Sequence, residues 1–274
     1  MVAAFRSLLF VPGARPDRFD KAVKSGADTI IIDLEDAVLP AEKASARSDA
    51  LDWLSRRPEG VRAAVRINSP RTFEGCADIA ALAEGGANPT FVMVPKTETG
   101  VDMEIVSEAL SDTRLVAVIE SGRGLSNAME IAAASPLGVL FGGADYSAGL
   151  GADLSSSQAM LYARSKISNA CGAAGVPAYD VPFLDVSDEI GLVTSTQAVK
   201  ALGYSGRACI HPKQIDPVNS VFAPDESEVA EARAIVAAFE ASAGGAVLHK
   251  GKLVDRPVVL AAQRILSRDI ITES

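Results

Sequence analysis

Eight apolar runs, each closing on a polar or charged side chain, constrain this chain more than any other feature. They are SLLFVPG (7–13), TIIIDLED (29–36), AAVRIN (63–68), FVMVPK (91–96), LVAVIES (115–121), GVLFGGAD (138–145), VPAYD (176–180) and RACIHP (207–212). A continuous stretch of β-branched and aromatic residues marks a strand buried on both faces. The useful chemistry collects at the carboxyl ends: Glu35 and Asp36, Arg66 and Asn68, Lys96, Glu120, Asp145 and His211. Successive run ends fall about 30 residues apart, room for a strand, a loop and a three-turn helix. Eight such units predict an α/β fold, a (β/α)8 TIM barrel, whose active site is built from the carboxyl ends of its strands. A doubly wound sheet would alternate in the same way, so closure rests on the count.

The segments between the runs support this. Residues 41–54 carry charge on one side and Ala44, Leu51 and Leu54 on another, and 126–134 and 158–170 are alanine-rich and amphipathic. After the eighth run the rhythm changes. Asp225 followed by Glu228 signals a helix start, with Val229, Ala232, Val236 and Phe239 on one face. Gly244 and Gly245 end it and read as a hinge. VLHKGKLVD (247–255) then gives two short extended pieces about Gly251, and 257–266 a final helix. The expected division is a barrel over 1–243 and a C-terminal extension over 244–274. By composition alone the extension packs on its own chain; a lid, or an arm onto a neighbour, is the other role open to it.

With 274 residues and 48% hydrophobic content the chain suits one barrel and a short appendage. A net charge of −9 argues against nucleic acid or an anionic membrane as the main partner. Three scattered cysteines, Cys76, Cys171 and Cys209, fit a reducing compartment and neither a disulfide framework nor a zinc site. The first apolar stretch is too short for a signal peptide, and no run approaches the roughly 18 residues of a membrane span. A cytoplasmic protein is the expectation.

Glu120 and Asp145 close consecutive runs, so in a barrel both carboxylates face one mouth. Two carboxylates with open positions suit magnesium, which keeps waters and takes substrate oxygens. An acid/base pair of the glycosidase kind and a plain ion-paired strand end are the alternatives. Arg66 brings a guanidinium fork suited to a carboxylate, unless Glu35 or Asp36 takes it. Those two acids stand open between touching a ligand and supporting the residues that do. Lys96 raises a Schiff base as a rival mechanism. His211 is one of two histidines and reads more simply as a wall residue than as a catalyst. Arg15, Arg18, Lys21 and Lys24 form a basic segment suited to phosphate or simply to solvent. There is no GxSxG, HExxH, GK[ST] phosphate loop or GxGxxG.

The motifs RSLLFVPG, DLEDAV, VRIN, VPK, VIES, GGAD, IHPKQ and GKLVD occur in this order along essentially the whole chain. In them the chain resembles the citrate lyase β-subunit-like family of magnesium-dependent acyl-CoA lyases, within the HpcH/HpaI aldolase group. Malyl-CoA, citramalyl-CoA and citryl-CoA lyases share the pattern and release acetyl-CoA and an α-keto acid. The resemblance implies Mg2+ on Glu120 and Asp145, and Arg66 on the carboxylate of pyruvate, glyoxylate or oxaloacetate. It further implies coenzyme A contacts from Phe10, Arg15 and Lys21, and a substrate pocket lined by Ala144, Ile210 and His211. Asp255, in GKLVD, matches the acid/base that reaches a neighbouring subunit in such lyases, so the resemblance implies a homo-oligomer, trimer or hexamer. Catalytic roles fall to Asp255, Arg66 and Asp36. Tyr146 and Ser147 stand where the family often has an acid, and the chain lacks the insertions of some malyl-CoA lyases, which leaves the substrate open. The same resemblance allows a subunit acting on a carrier-protein thioester, a malate synthase-like thioesterase, or a keto-acid binder without turnover.

Overall fold

Strands that must bury both faces can do so only with helices outside and a filled interior, and all eight apolar runs meet that demand. The computed structural model describes residues 4–111, 113–242 and 245–272. Its strands are β1 (Ser7–Pro12), β2 (Thr29–Asp33), β3 (Ala63–Arg66), β4 (Val92–Val94), β5 (Leu115–Ile119), β6 (Val139–Phe141), β7 (Ala178–Asp180) and β8 (Gly206–Cys209). They pair in parallel and in sequence order, and β8 returns to β1 to close the barrel. This is a (β/α)8 TIM barrel with a C-terminal helical extension. Around it run α1 (Phe19–Val23), α2 (Lys43–Arg56), α3 (Phe73–Ala83), α4 (Gly100–Ala109), α5 (Gly122–Ser126), α6 (Ala128–Ala133), α7 (Gly143–Leu150), α8 (Ser157–Ala174) and α9 (Glu189–Ala201).

The barrel interior is packed, not open. Leu8, Ile31, Ala64, Met93, Val116, Leu140 and Ala208 fill it. Phe5, just before β1, lies 5.5 Å from the ring of Phe91, just before β4, and 6.4 Å from Tyr179, so aromatic rings seal the amino-terminal end. At Gly206 a Cβ atom would stand 1.9 Å from the Phe5 carbonyl oxygen, and only glycine lets β8 approach that closely.

Local rules account for most of the helices. Ser156 caps α8 by accepting from Ala159 N, and Gly175 ends it in the left-handed region. In α2 the buried face is Ala46, Ala50 and Leu54, while Ala44 is exposed, so the apolar stripe sits round from the one expected. The helix expected over 126–134 is α6, with the short α5 just before it; between them the Asn127 side-chain amide donates to the Glu98 carbonyl at 2.8 Å.

By packing the chain divides into two compact units, Met1–Asn219 and Ser220–Ser274. α10 (Ile215–Phe222) leads from one to the other. In the second, α11 (Glu226–Ala241) begins with the expected capping box, Asp225 and Glu228. A hairpin of β9 (Val247–His249) and β10 (Lys252–Val254) turns on Lys250 and Gly251, both at positive φ as a two-residue type I′ turn requires. α12 (Arg256–Thr272) follows. Of the expected Gly244–Gly245 hinge, Gly244 lies outside the described residues. No helix among the described residues is long and apolar enough to cross a membrane.

A buried ionic cluster ties β7 to β8. Asp180 takes Arg164 Nε at 2.9 Å and Arg207 Nη2 at 2.7 Å, and Arg207, 1% exposed, also donates to Ser195, Thr196 and the Val181 carbonyl. Removing the one carboxylate strands two buried guanidiniums. Asp180→Asn should therefore lower stability by about 3–5 kcal/mol in chemical denaturation. A loss below about 1 kcal/mol would show that the cluster is solvated and not structural.

Candidate active site

The mouth of the barrel is organised by one ion pair that follows from strand register. Asp33 ends β2 and Arg66 ends β3, and the two are direct partners across the sheet. Arg66 forks onto Asp33 through Nε and Nη2, both at 2.7 Å. Burial works to lower the Arg66 pKa, but the charge and hydrogen bond of Asp33, with Glu35 and Glu120, more than reverse this and hold it above its ordinary value. Its guanidinium also lies over the ring of Phe10, 4.9 Å from the centroid.

Asp33 has a second duty. Its carboxylate accepts from Glu35 N at 3.0 Å and Ala37 N at 3.3 Å, shaping the turn that carries Glu35 and Asp36. Lys43 of α2 holds that turn from behind, donating to the carbonyls of Leu34 and Glu35 and to Asn68 Oδ1. Asn68 is fixed in turn by Asp78 and Asp78 by Arg47. Asn68 thus supports the site from outside the cleft.

Glu35 is buried beneath this turn. Its Oε2 lies 3.0 Å from Arg66 Nη1, an ion pair without an aligned hydrogen bond, and its Oε1 takes the Lys96 ammonium. Burial pushes its pKa up, against the pull of Arg66 and Lys96. Lys96 itself adopts φ 51°, a left-handed conformation seldom taken by lysine. From there its ammonium reaches Asp36 at 3.3 Å and Asp145 at 3.9 Å. Burial works to lower the Lys96 pKa; its hydrogen bond to Glu35 and the surrounding carboxylates outweigh that and raise it. A lysine held so firmly as a cation is a poor Schiff-base nucleophile.

Glu120 follows β5, and Asp145 sits in the first turn of α7, where a helix N-terminus favours negative charge. Glu120 is 6% exposed and the Asp145 side chain 49%, so the pair spans the wall and the opening of a cleft. Gly142 makes room for Glu120. A Cβ there would stand 2.6 Å from Glu120 Cγ. Burial, a hydrogen bond to Asp145 and the charge of Glu35 push the Glu120 pKa up to about 9. Two hard oxygen groups thus compete for one proton, and a hard divalent cation that keeps its own waters fits such a pair. Among the described residues no group of three His, Cys, Asp or Glu side chains could hold a metal. Waters and a ligand must supply the other positions.

The cleft encloses about 300 Å³. Phe10, Asp36, Arg66, Glu120, Ala144, Asp145 and Ile210 line it, seven of the candidates named from the sequence. Others lie apart. His211 is absent from that lining, and its Nδ1 accepts from Lys213 N at 3.1 Å, capping the turn after β8. Arg15 is exposed and paired with Asp17, and Lys21 is exposed on α1. Asp255, in the second unit, stands at the start of α12 with Oδ1 3.4 Å from Val258 N. Asp33 and Lys43 were not singled out in the sequence. Asp33 could have been found, because an acid closing a fully buried run needs a cation on the neighbouring strand.

The sequence model of the HpcH/HpaI aldolase/citrate lyase family matches residues 6–212, from the start of β1 to just past β8. The chain belongs to this family. It is 37% identical to the citrate lyase subunit beta of Leuconostoc mesenteroides subsp. cremoris, over 95% of this chain and 92% of the relative. It is 34% identical to an L-malyl-CoA/beta-methylmalyl-CoA lyase of Cereibacter sphaeroides, over 95% and 93%. Among solved structures it is similar to the CitE protein of Mycobacterium tuberculosis in complex with magnesium, acetoacetate and coenzyme A. That match has 36% identity and a TM-score of 0.79, over 98% of this chain and 99% of that one. Family members are thus lyases, and the cleft sits where a barrel enzyme places its chemistry.

The raised Glu120 pKa sets a stability signature. The folded chain keeps a proton that the unfolded chain releases above about 4.5, so stability of the metal-free protein falls as pH rises from about 4.5 towards about 9. The slope is at most ~1.4 kcal/mol per pH unit for this one group. Glu120→Gln should remove that component from pH-dependent denaturation curves. An identical slope in wild type and variant would place the proton elsewhere.

Proposed function

We propose that the chain is a magnesium-dependent carbon–carbon lyase. Its substrate is a 3-hydroxyacyl-CoA bearing a carboxylate on the hydroxyl carbon, and its products are acetyl-CoA and an α-keto acid. The observation that carries this reading is the Glu120–Asp145 pair, poised for a hard cation beside the locked cation Arg66. The relatives support it: one is named a malyl-CoA lyase, and one structure holds magnesium with acetoacetate and coenzyme A.

Each residue has a physical task in this reading. Glu120 and Asp145 would hold magnesium, with Glu120 ionised to do so. A magnesium ion bound there would supply Lewis acidity that favours loss of the substrate hydroxyl proton. Asp33 keeps Arg66 rigid, so its positive charge faces the substrate carboxylate without reorganisation. Because Asp33 occupies the Nε–Nη2 edge, Arg66 serves that carboxylate through its remaining Nη hydrogens. Asp36, at the exposed rim, is the carboxylate available to accept the hydroxyl proton. The carbon–carbon bond then breaks, its electrons pass to the thioester α-carbon, and Asp255 protonates that carbon to give acetyl-CoA. Arg15 and Lys21, with Arg18 and Lys24, form the basic segment available to coenzyme A phosphates, and Phe10 and Ile210 line the pocket, with His211 next in the chain at the turn after β8. A cytoplasmic assembly of several copies, trimer or hexamer, with the extension over 244–274 serving a neighbour, belongs to the same reading. Val101 and Ile105 on α4, Met129 on α6 and Tyr162 on α8 leave apolar surface for such contacts.

The match to a citrate lyase β subunit favours a second reading, in which the thioester is carried on a partner protein. Acetyl-CoA formation from free malyl-, citramalyl- and citryl-CoA separates the two. The lyase reading predicts cleavage of at least one, lost in EDTA and restored by Mg2+. It also predicts that Asp255→Ala lowers turnover about 10²–10⁴-fold while pyruvate still binds with Mg2+. Metal-independent cleavage, or an Asp255→Ala variant of normal activity, would contradict it.

A further inference from the structure

In IHPKQ the residue that joins the walls of the cleft is the glutamine. Gln214 is 1% exposed and ends the 3-10 turn Pro212–Gln214 that follows β8. Its Oε1 accepts from Ile210 N at 2.9 Å and from His211 N at 3.3 Å, which caps that turn. Glutamate would serve a cap of this kind equally well. The amide is needed for a different bond: Nε2 donates to the Phe183 carbonyl at 2.7 Å, in the loop between β7 and α9.

The two segments joined in this way lie beyond the sheet. The register of β7 with β8 ends at Asp180 and Arg207. Arg207 Nε still holds the Val181 carbonyl at 3.0 Å, and from there the loop leaves the barrel. A primary amide carries the same donor and acceptor as a peptide group. Gln214 thus adds one more rung where the backbone ladder has stopped. Val181, Pro182 and Leu184 of one segment and Ile210 of the other line the cleft. Leu184 and Ile210 are exposed, so burial does little to fix them.

We infer that Gln214 is a positioning residue for the substrate: by tying Phe183 to Ile210 it sets the gap between these two stretches of cleft wall, and with it how tightly the thioester is held. This rests on the lyase reading above. The three bonds of its side chain all go to backbone atoms of the wall and none to Arg66, Glu120 or Asp145. Its loss therefore tells on KM and spares both the metal and the chemical step.

Gln214→Glu isolates the bond to Phe183. An ionised carboxylate keeps the acceptor for Ile210 and His211 but loses the donor, and it sets two oxygens against each other at Phe183. With whichever of malyl-, citramalyl- and citryl-CoA the wild type cleaves, KM is expected to rise about tenfold at about pH 8, with kcat within about twofold. Mn2+ binding, read by electron paramagnetic resonance, is expected to stay at the wild-type stoichiometry. Towards about pH 6 the KM of the variant should return to that of the wild type at the same pH, because a protonated carboxyl regains the donor and burial favours the neutral form. Hydrogen exchange followed by mass spectrometry should quicken over 181–188 at the higher pH and stay unchanged over 206–214. Gln214→Met removes both bonds without adding charge. It should raise KM at every pH and quicken exchange in both segments, and it carries the test if Gln214→Glu does not fold. Wild-type KM in the variants, whether or not exchange quickens, overturns the inference and leaves the lyase reading standing. So does a fall in kcat at unchanged KM, or a raised KM in Gln214→Glu that ignores pH. If the wild type cleaves none of the three thioesters, the lyase reading fails and the inference with it.

Discussion

The site depends on the pairing of Arg66 with Asp33. Five carboxylates, Asp33, Glu35, Asp36, Glu120 and Asp145, converge on one barrel mouth with only Arg66 and Lys96 among them. Such a cluster is unfavourable unless its cations are fixed where the negative charge is densest. Strand register does that, since β2 and β3 end side by side on these two residues. Asp33 then orders the turn bearing Glu35, Glu35 draws in Lys96, and the Lys96 amide reaches Glu120 Oε1 at 3.4 Å. One backbone alignment thus propagates to the residues that would hold a metal.

The negative charge left over fits the proposed metal site. A cleft whose two acids share a proton is poised to exchange that proton for a cation. The left-handed Lys96 and the Cβ-free contact of Gly142 with Glu120 are consistent with that proposal. Both features would be costly in an ordinary strand-end loop.

The fold was legible in the sequence because a strand buried on both faces writes itself as an uninterrupted apolar run. All eight runs are strands, and the polar residues at their ends are where the mouth is. The Glu120–Asp145 juxtaposition followed from consecutive runs. Asp33 went unnoticed because the acids after it, Glu35 and Asp36, looked more available; only register shows which acid meets Arg66. His211, read from the residues as a wall position, caps a turn, a local role that a lone histidine often fills. The rival Schiff base at Lys96 loses its basis once three carboxylates surround the ammonium.

The central claim is that Glu120 and Asp145 together make a divalent-cation site that Arg66 and Asp33 hold in shape. Electron paramagnetic resonance of Mn2+ titrated into the protein, used as a probe of the magnesium position, tests it most directly. One bound ion per chain is predicted for the wild type and none in the same range for Glu120→Gln or Asp145→Asn, with pyruvate perturbing the bound spectrum. Stoichiometric binding that survives both substitutions would contradict the account.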